Sequence, residues 1–181
     1  NSVVTNLNLA SQAKENDHKI LLVTGPTAGV GKSTVSAKIA STLAARGKKT
    51  ILIDMDQKKG DQHKIHNIPK LRSTEEYFNI DNFDQYKIKE NFFVIPKAKG
   101  GSADALSVIE SERFKNLINS LKEIYDQVII DTPPVISLSE SLALSVLADD
   151  VLMIYRHGVS KLREVEISRD QFSSIGIDSF L

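Results

Sequence analysis

The residues best equipped for chemistry are a lysine and a hydroxyl side by side, Lys32-Ser33, and three aspartates farther along, Asp54, Asp56 and Asp131. Lys32-Ser33 closes a run holding three glycines and one proline, Gly25-Pro26-Thr27-Ala28-Gly29-Val30-Gly31. Glycines let a backbone curl round an anion with no Cβ in the way. Backbone N–H groups at the start of the next helix would point at that anion. A lysine here is a point charge for terminal phosphates, and the neighbouring hydroxyl is placed to ligate magnesium. The span Thr27, Ala28, Gly29, Val30, Gly31, Lys32, Ser33 and Thr34 is therefore the expected nucleotide-binding loop. The strict G-x-x-x-x-G-K-[ST] pattern fails, because its first glycine falls on Pro26 and Gly25 stands one place early. The G-x-G-K-[ST] core is intact. An ordinary glycine turn with a surface lysine is the plain alternative; the flanking sequence disfavours it.

That flank supplies the positioning elements. Ile20-Leu21-Leu22-Val23 is apolar and β-branched enough for a buried strand, and Val35, Ile39 and Leu43 fall on one face of a helix ending near Arg46-Gly47. Thr50 to Ile53 is a second strand that ends on Asp54-Met55-Asp56, and Gln127 to Ile130 is another that ends on Asp131 before two prolines. Ligands of open α/β sheets gather at the carboxyl ends of strands, which favours function for all three acids over turn or N-cap duty. Asp131 suits a magnesium-holding role, directly or through water. Of Asp54 and Asp56, one is suited to accept a proton from an attacking hydroxyl and the other to fix the metal.

Further strands are expected at Asn91 to Ile95 and at Asp150 to Tyr155. Helices are expected at Asp104 to Leu121, Ser139 to Leu147 and Ser160 to Phe172, the last with Leu162, Val165, Ile167 and Phe172 facing a core. Residues 1 to 17 read as a helical lead-in, and 57 to 90 as polar and irregular with a short helix around Glu75 to Phe78. Alternating apolar strands and helices predict an α/β fold, a doubly wound and mostly parallel sheet in a single domain over residues 1 to 181. His63 and His66 share a helix face without a third ligand, so two solvated histidines are favoured over a metal site. Lys58-Lys59 reads as a solvated turn.

Composition sets outer limits. The 181 residues carry 23 basic and 23 acidic side chains, so no net field favours nucleic acid or an anionic membrane. Cysteine is absent, which excludes disulfides and thiolate metal sites and suits a reducing cytoplasm. No apolar run approaches a membrane span. The chain begins on Asn1 and stops in an apolar segment, so it reads as a piece of something longer.

The segments TGPTAGVGKST, ILIDMDQKKG and VIIDTPPV resemble the Walker A, A′ and B motifs of the bacterial tyrosine kinases (BY-kinases), the cytoplasmic domains of Wzc-type proteins that regulate capsule and exopolysaccharide export. The likeness runs from about Thr5 to the C-terminus, and the D-x-D of A′ is its discriminating part. It implies a P-loop NTPase-like fold and an ATP- and Mg2+-dependent tyrosine kinase that autophosphorylates between chains. Lys32 and Ser33 would bind phosphate and magnesium. Asp54 and Asp56 would serve the metal and the tyrosine hydroxyl, and Asp131 the metal; Ser33, Asp54, Asp56 and Asp131 form the implied metal set. Implied partners are ATP/ADP, further copies of the chain in a ring-like homo-oligomer, a transmembrane or periplasmic chain-length domain or activator, and a tyrosine phosphatase, but no nucleic acid. The implied location is the cytoplasmic side of a membrane-attached protein.

Several positions depart from the family. Lys58 stands where A′ ends in arginine, which loses the bidentate fork. Asp61 occupies the place of an internal regulatory tyrosine, and Gly100-Gly101-Ser102-Ala103-Asp104 replaces a proline-rich segment. The Glu-Ala-x-Arg oligomerisation motif and the C-terminal tyrosine cluster are absent. Tyr77, Tyr86, Tyr125 and Tyr155 remain, with Tyr155 expected in a buried strand. Two other readings compete. A ParA/MinD-type ATPase would place a second lysine at position 27, which is Thr27. A nucleotide-gated assembly module would control polysaccharide chain length without kinase activity.

Overall fold

The computed structural model describes residues 19–78, 84–99, 105–137, 139–178 and 180–181. The lead-in helix expected at 1 to 17 and the Gly100–Asp104 segment lie outside them. Six strands form one sheet: β1 (Ile20–Thr24), β2 (Thr50–Asp54), β3 (Lys87–Lys89), β4 (Phe92–Ile95), β5 (Gln127–Asp131) and β6 (Asp150–Met153). Their order is β3-β4-β2-β5-β1-β6, and every neighbouring pair is parallel except β3 with β4. The central strands β1, β2 and β4 are buried along their whole length, as parallel strands covered on both faces must be.

Alternate residues of these strands feed two separate cores. On one face Leu21, Val23, Leu52, Val94, Ile129 and Leu152 pack under α1 (Lys32–Ala45), which buries Ala37, Ile39, Ala40, Leu43 and Ala44. On the other face Ile20, Leu22, Ile51, Ile53, Ile95, Val128 and Ile130 meet Ile109, Phe114, Leu117, Ile118, Leu121, Leu144 and Phe172. Those last seven come from four helices: α3 (Ala105–Glu110), α4 (Glu112–Ile124), α5 (Glu140–Ser145) and α6 (Leu162–Ser173). A short α2 (Gln62–Ile65) and a 3-10 turn at Thr74–Phe78 fill the stretch after β2. Among the described residues, no helix is long and apolar enough to cross a membrane.

Four expectations need correction. The helix expected across Asp104 to Leu121 is two helices, because Ser111 breaks it and caps the second, its hydroxyl accepting from Phe114 N (3.2 Å). The edge strand β3 was not anticipated, since its Lys-Ile-Lys sequence is half exposed and carries no apolar run. The strand expected to reach Tyr155 stops at Met153, and Tyr155 is 67% exposed, not buried. In α6, Phe172 is fully buried and Val165 packs partly, but Leu162 and Ile167 face outward.

Candidate active site

The loop after β1 turns into α1 through two left-handed residues, Gly29 (φ 79°) and Gly31 (φ 103°), a conformation that costs any L side chain. No acidic residue occupies the first turn of α1, so its free N–H groups and positive dipole end face an anion without competition. Lys32 folds back along this loop and donates from Nζ to the Thr27 carbonyl (3.3 Å). Gly25 serves another purpose: a Cβ there would collide with the Ile154 carbonyl beyond β6. The loop is pinned from β5 as well, because Thr132 N donates to Val23 O (3.1 Å) and Val135 N to Gly25 O (3.1 Å).

The parallel register sets the acids. Asp54 and Asp131 are direct partners at the carboxyl ends of β2 and β5, and Asp131 also faces Val23 of β1, just before the loop. Both aspartates are fully buried, and Asp56 nearly so. Asp54 Oδ1 accepts from Asp56 N (3.2 Å) and Oδ2 from Gln62 N (3.1 Å), while Asp56 Oδ1 accepts from Lys59 N (2.7 Å). Asp131 Oδ2 accepts from Gln62 Nε2 (2.8 Å), but its Oδ1 is buried with no protein partner.

Crowding several carboxylates away from water is costly, and the proton affinities record it. Burial, then the charge of Asp131, pushes the Asp54 carboxyl well above the ordinary carboxylate range. Burial pushes Asp131 up to about 6, against the pull of the Gln62 hydrogen bond and the charge of Lys32. Burial lowers the Lys32 ammonium, opposed by Asp131 and Asp56. One lysine does not balance this cluster, so the site favours an added cation. Among the described residues no three acids or histidines converge into a cage that could hold a metal unaided. That suits magnesium, which takes one or two carboxylates and completes its shell with phosphate oxygens and water.

Three supporting residues escaped the sequence reading. Gly60 has no room for a Cβ, which would strike the Asp54 carboxylate, and its N–H donates to Asp56 O (2.6 Å). Gln62, fully buried, touches both Asp54 and Asp131. Gln57 props the start of the A′ turn: Nε2 donates to Asp54 O (3.2 Å) and to the Tyr77 hydroxyl (2.5 Å), and Oε1 accepts from Ala98 N (3.2 Å). A G at the turn after D-x-D was a usable signal for Gly60; nothing local marks the two glutamines. Lys58 and Lys59 are exposed, as a solvated turn requires. His63 and His66 are half-buried, contrary to the solvated pair expected, and His66 stands edge-on to Phe92 at 5.2 Å. A groove of about 950 Å³ opens beyond β6, lined in part by Tyr155, Arg156, Ser160 and Leu162; Asp54, Asp56 and Asp131 do not line it.

With this geometry in hand, comparison with known proteins gives a consistent picture. The family model described as AAA domain matches residues 18–164. The tyrosine-protein kinase ptk of Acinetobacter johnsonii is 28% identical over 180 residues, which is 97% of this chain and 24% of that protein. Among solved structures, the chimerical protein CapA2B2 superposes with a TM-score of 0.82 at 26% identity, over 93% of this chain and 76% of that one. The kinase domain of Escherichia coli tyrosine kinase ETK gives a TM-score of 0.84 at 24% identity, over 96% and 69%. The chain thus spans about a quarter of the length of the curated relatives it matches.

Proposed function

This chain belongs to the AAA domain family, and from that premise and the geometry of its site we propose that it is an ATP- and magnesium-dependent protein-tyrosine kinase domain. The observation that carries the reading is the pairing of Asp54 with Asp131 beside an intact phosphate loop, in a pocket whose negative charge exceeds that of Lys32. The likeness to a tyrosine-protein kinase over nearly the whole chain supports it.

Each residue has a share in the transfer. The N–H groups from Thr27 through Thr34 hold the phosphates, and Lys32 swings from the Thr27 carbonyl to the terminal phosphoryl oxygens. Ser33, Asp131 and one of the A′ acids, Asp54 or Asp56, would hold the metal. When bound, magnesium would supply positive charge to neutralise what develops on the phosphates. The A′ acid that is not on the metal would accept the tyrosine hydroxyl proton. Transfer then forms a bond from the tyrosine oxygen to phosphorus and breaks the one to the departing ADP. Residues 1 to 181 are read as one catalytic domain on the cytoplasmic side of a longer, membrane-attached protein of capsule or exopolysaccharide export. Its partners would be ATP, other copies of itself, a chain-length or activator domain and a tyrosine phosphatase. Position 27 is Thr27, which disfavours a ParA/MinD-type ATPase.

The test incubates the protein with labelled ATP, magnesium and a tyrosine-containing peptide. Label should appear on phosphotyrosine and vanish with Lys32→Met. ATP turnover with no phosphotyrosine, or equal labelling by Lys32→Met, would refute the proposal.

A further inference from the structure

Gln62 is a neutral, fully buried side chain in a cluster of charges, and it bridges all three segments that build the site. Its backbone N–H donates to Asp54 Oδ2 (3.1 Å). Its side-chain Nε2 reaches Asp131 Oδ2 (2.8 Å), the Ser33 carbonyl (3.0 Å) and the Ser36 hydroxyl (3.0 Å). Ser36 spends its own proton on Ser33 O (3.1 Å), so Nε2 faces three acceptors. That fixes the amide orientation, since the flipped form would press its carbonyl against a carboxylate and a backbone carbonyl. Two N–H bonds are thus shared among three acceptors. The other end, Oε1, is buried and has no protein partner, like Asp131 Oδ1. Two orphaned acceptors in one water-poor cluster call for donors that the protein does not supply.

We propose that Gln62 is the positioning residue of the metal site, clamping Asp131 against the first turn of α1 while its unpartnered carbonyl accepts from a water on the bound ion. The proposal rests on the magnesium–nucleotide reading above and adds to it the element that gives the carboxylate one fixed rotamer. An aspartate with one oxygen tied to Gln62 presents the other oxygen, Oδ1, in a single direction. Without the clamp, Asp131 is free to rotate toward Lys32, the cation that already attracts it. Such outer partners orient a ligand without touching the metal themselves, and losing one costs about 10- to 100-fold in metal affinity.

The experiment measures binding of fluorescent ADP to the 181-residue protein, first in EDTA and then across a magnesium series. Gln62→Leu should retain metal-free ADP binding, because it removes no N–H donor and no cation of the phosphate loop. Its magnesium half-saturation should rise by roughly 10- to 100-fold. Ser36→Ala, which removes one anchor of the amide, should shift the same quantity in the same direction by less. It carries the test alone if melting curves show that Gln62→Leu does not fold. Unaltered magnesium dependence in the folded variants overturns the proposal, as does equal loss of metal-free and metal-dependent binding, which would make Gln62 a support of the phosphate loop. A wild-type protein that binds ADP with no response to magnesium at any concentration overturns the reading beneath it instead.

Discussion

Replacing Asp131 by asparagine should make the metal- and nucleotide-free protein more stable, although the residue lies at the centre of its site. The side chain is fully buried, and its proton affinity is raised from 3.8 to about 6. A folded-state value above the unfolded one means that ionisation opposes folding, so the sign is the reverse of an ordinary salt-bridged carboxylate. Below pH 3.8 both states hold the proton and the cost is absent. Between there and about 6 the unfolded chain releases the proton first, and stability falls as pH rises. Above that window the full cost persists. At about 1.4 kcal/mol for each tenfold change in proton affinity, it comes to about 3 kcal/mol as an upper figure. Asparagine keeps an oxygen for Gln62 Nε2 but adds an N–H2 that needs a partner, which reduces the gain to about 1–2 kcal/mol. For a chain of this size that is roughly 2–8 °C in melting temperature. Thermal unfolding of both proteins from pH 4 to 8 checks it: the variant should start below wild type at the acid end, where only the unpartnered N–H2 counts, and cross above it as pH rises. A variant less stable than wild type at pH 8, or a gap that ignores pH, would refute the argument that burial sets the character of this carboxylate.

Other perturbations have equally definite outcomes. Gly60→Ala pushes a methyl group into the Asp54 carboxylate and should cost about 1–3 kcal/mol in chemical denaturation, with loss of magnesium-dependent turnover. Tyr77→Phe leaves Gln57 Nε2 without its shortest acceptor and should cost about 1–3 kcal/mol, read from the urea midpoint. Phe172→Ala empties a fully buried position between α6 and the sheet and should destabilise by about 3–5 kcal/mol without changing the ADP affinity of the folded fraction. Tyr155→Phe removes the hydroxyl of the one tyrosine in the chain that is largely exposed, so it should lower any phosphotyrosine formed on the chain itself, whereas Tyr125→Phe, at a buried tyrosine, should leave that yield unchanged in folded protein; mass spectrometry after incubation with ATP decides.

How far the sequence could be read depended on whether a residue's job was local. The phosphate loop was legible because its parts are contiguous: a strand, two glycines with positive φ, and a lysine on the first turn of a helix. Asp54 and Asp131 were legible because a strand end is itself a location, and parallel pairing places such ends along one edge. The break at Ser111 was written in the chain, since a serine followed by Glu112 is a helix-start signal, but the apolar spacing ran across it. Strand β3 and the exposed Tyr155 were misjudged for one reason. Apolar content was the only gauge of strand ends, and at the margin of a sheet pairing and burial no longer coincide.

Gln62 belongs to another class. In a polar stretch between Asp61 and His63 it looks like any solvated glutamine, and its burial follows only from Gly60 bringing the chain back over Asp54. A neutral amide is what that position demands. A lysine there would form an ion pair with Asp131 and compete with the proposed magnesium ion for its charge; a carboxylate would add to the repulsion that, after burial, raises Asp54. An amide can hold Asp131 by its N–H groups and, on the proposed magnesium reading, keep an oxygen for a water and leave the negative charge of the cluster undiminished for the cation.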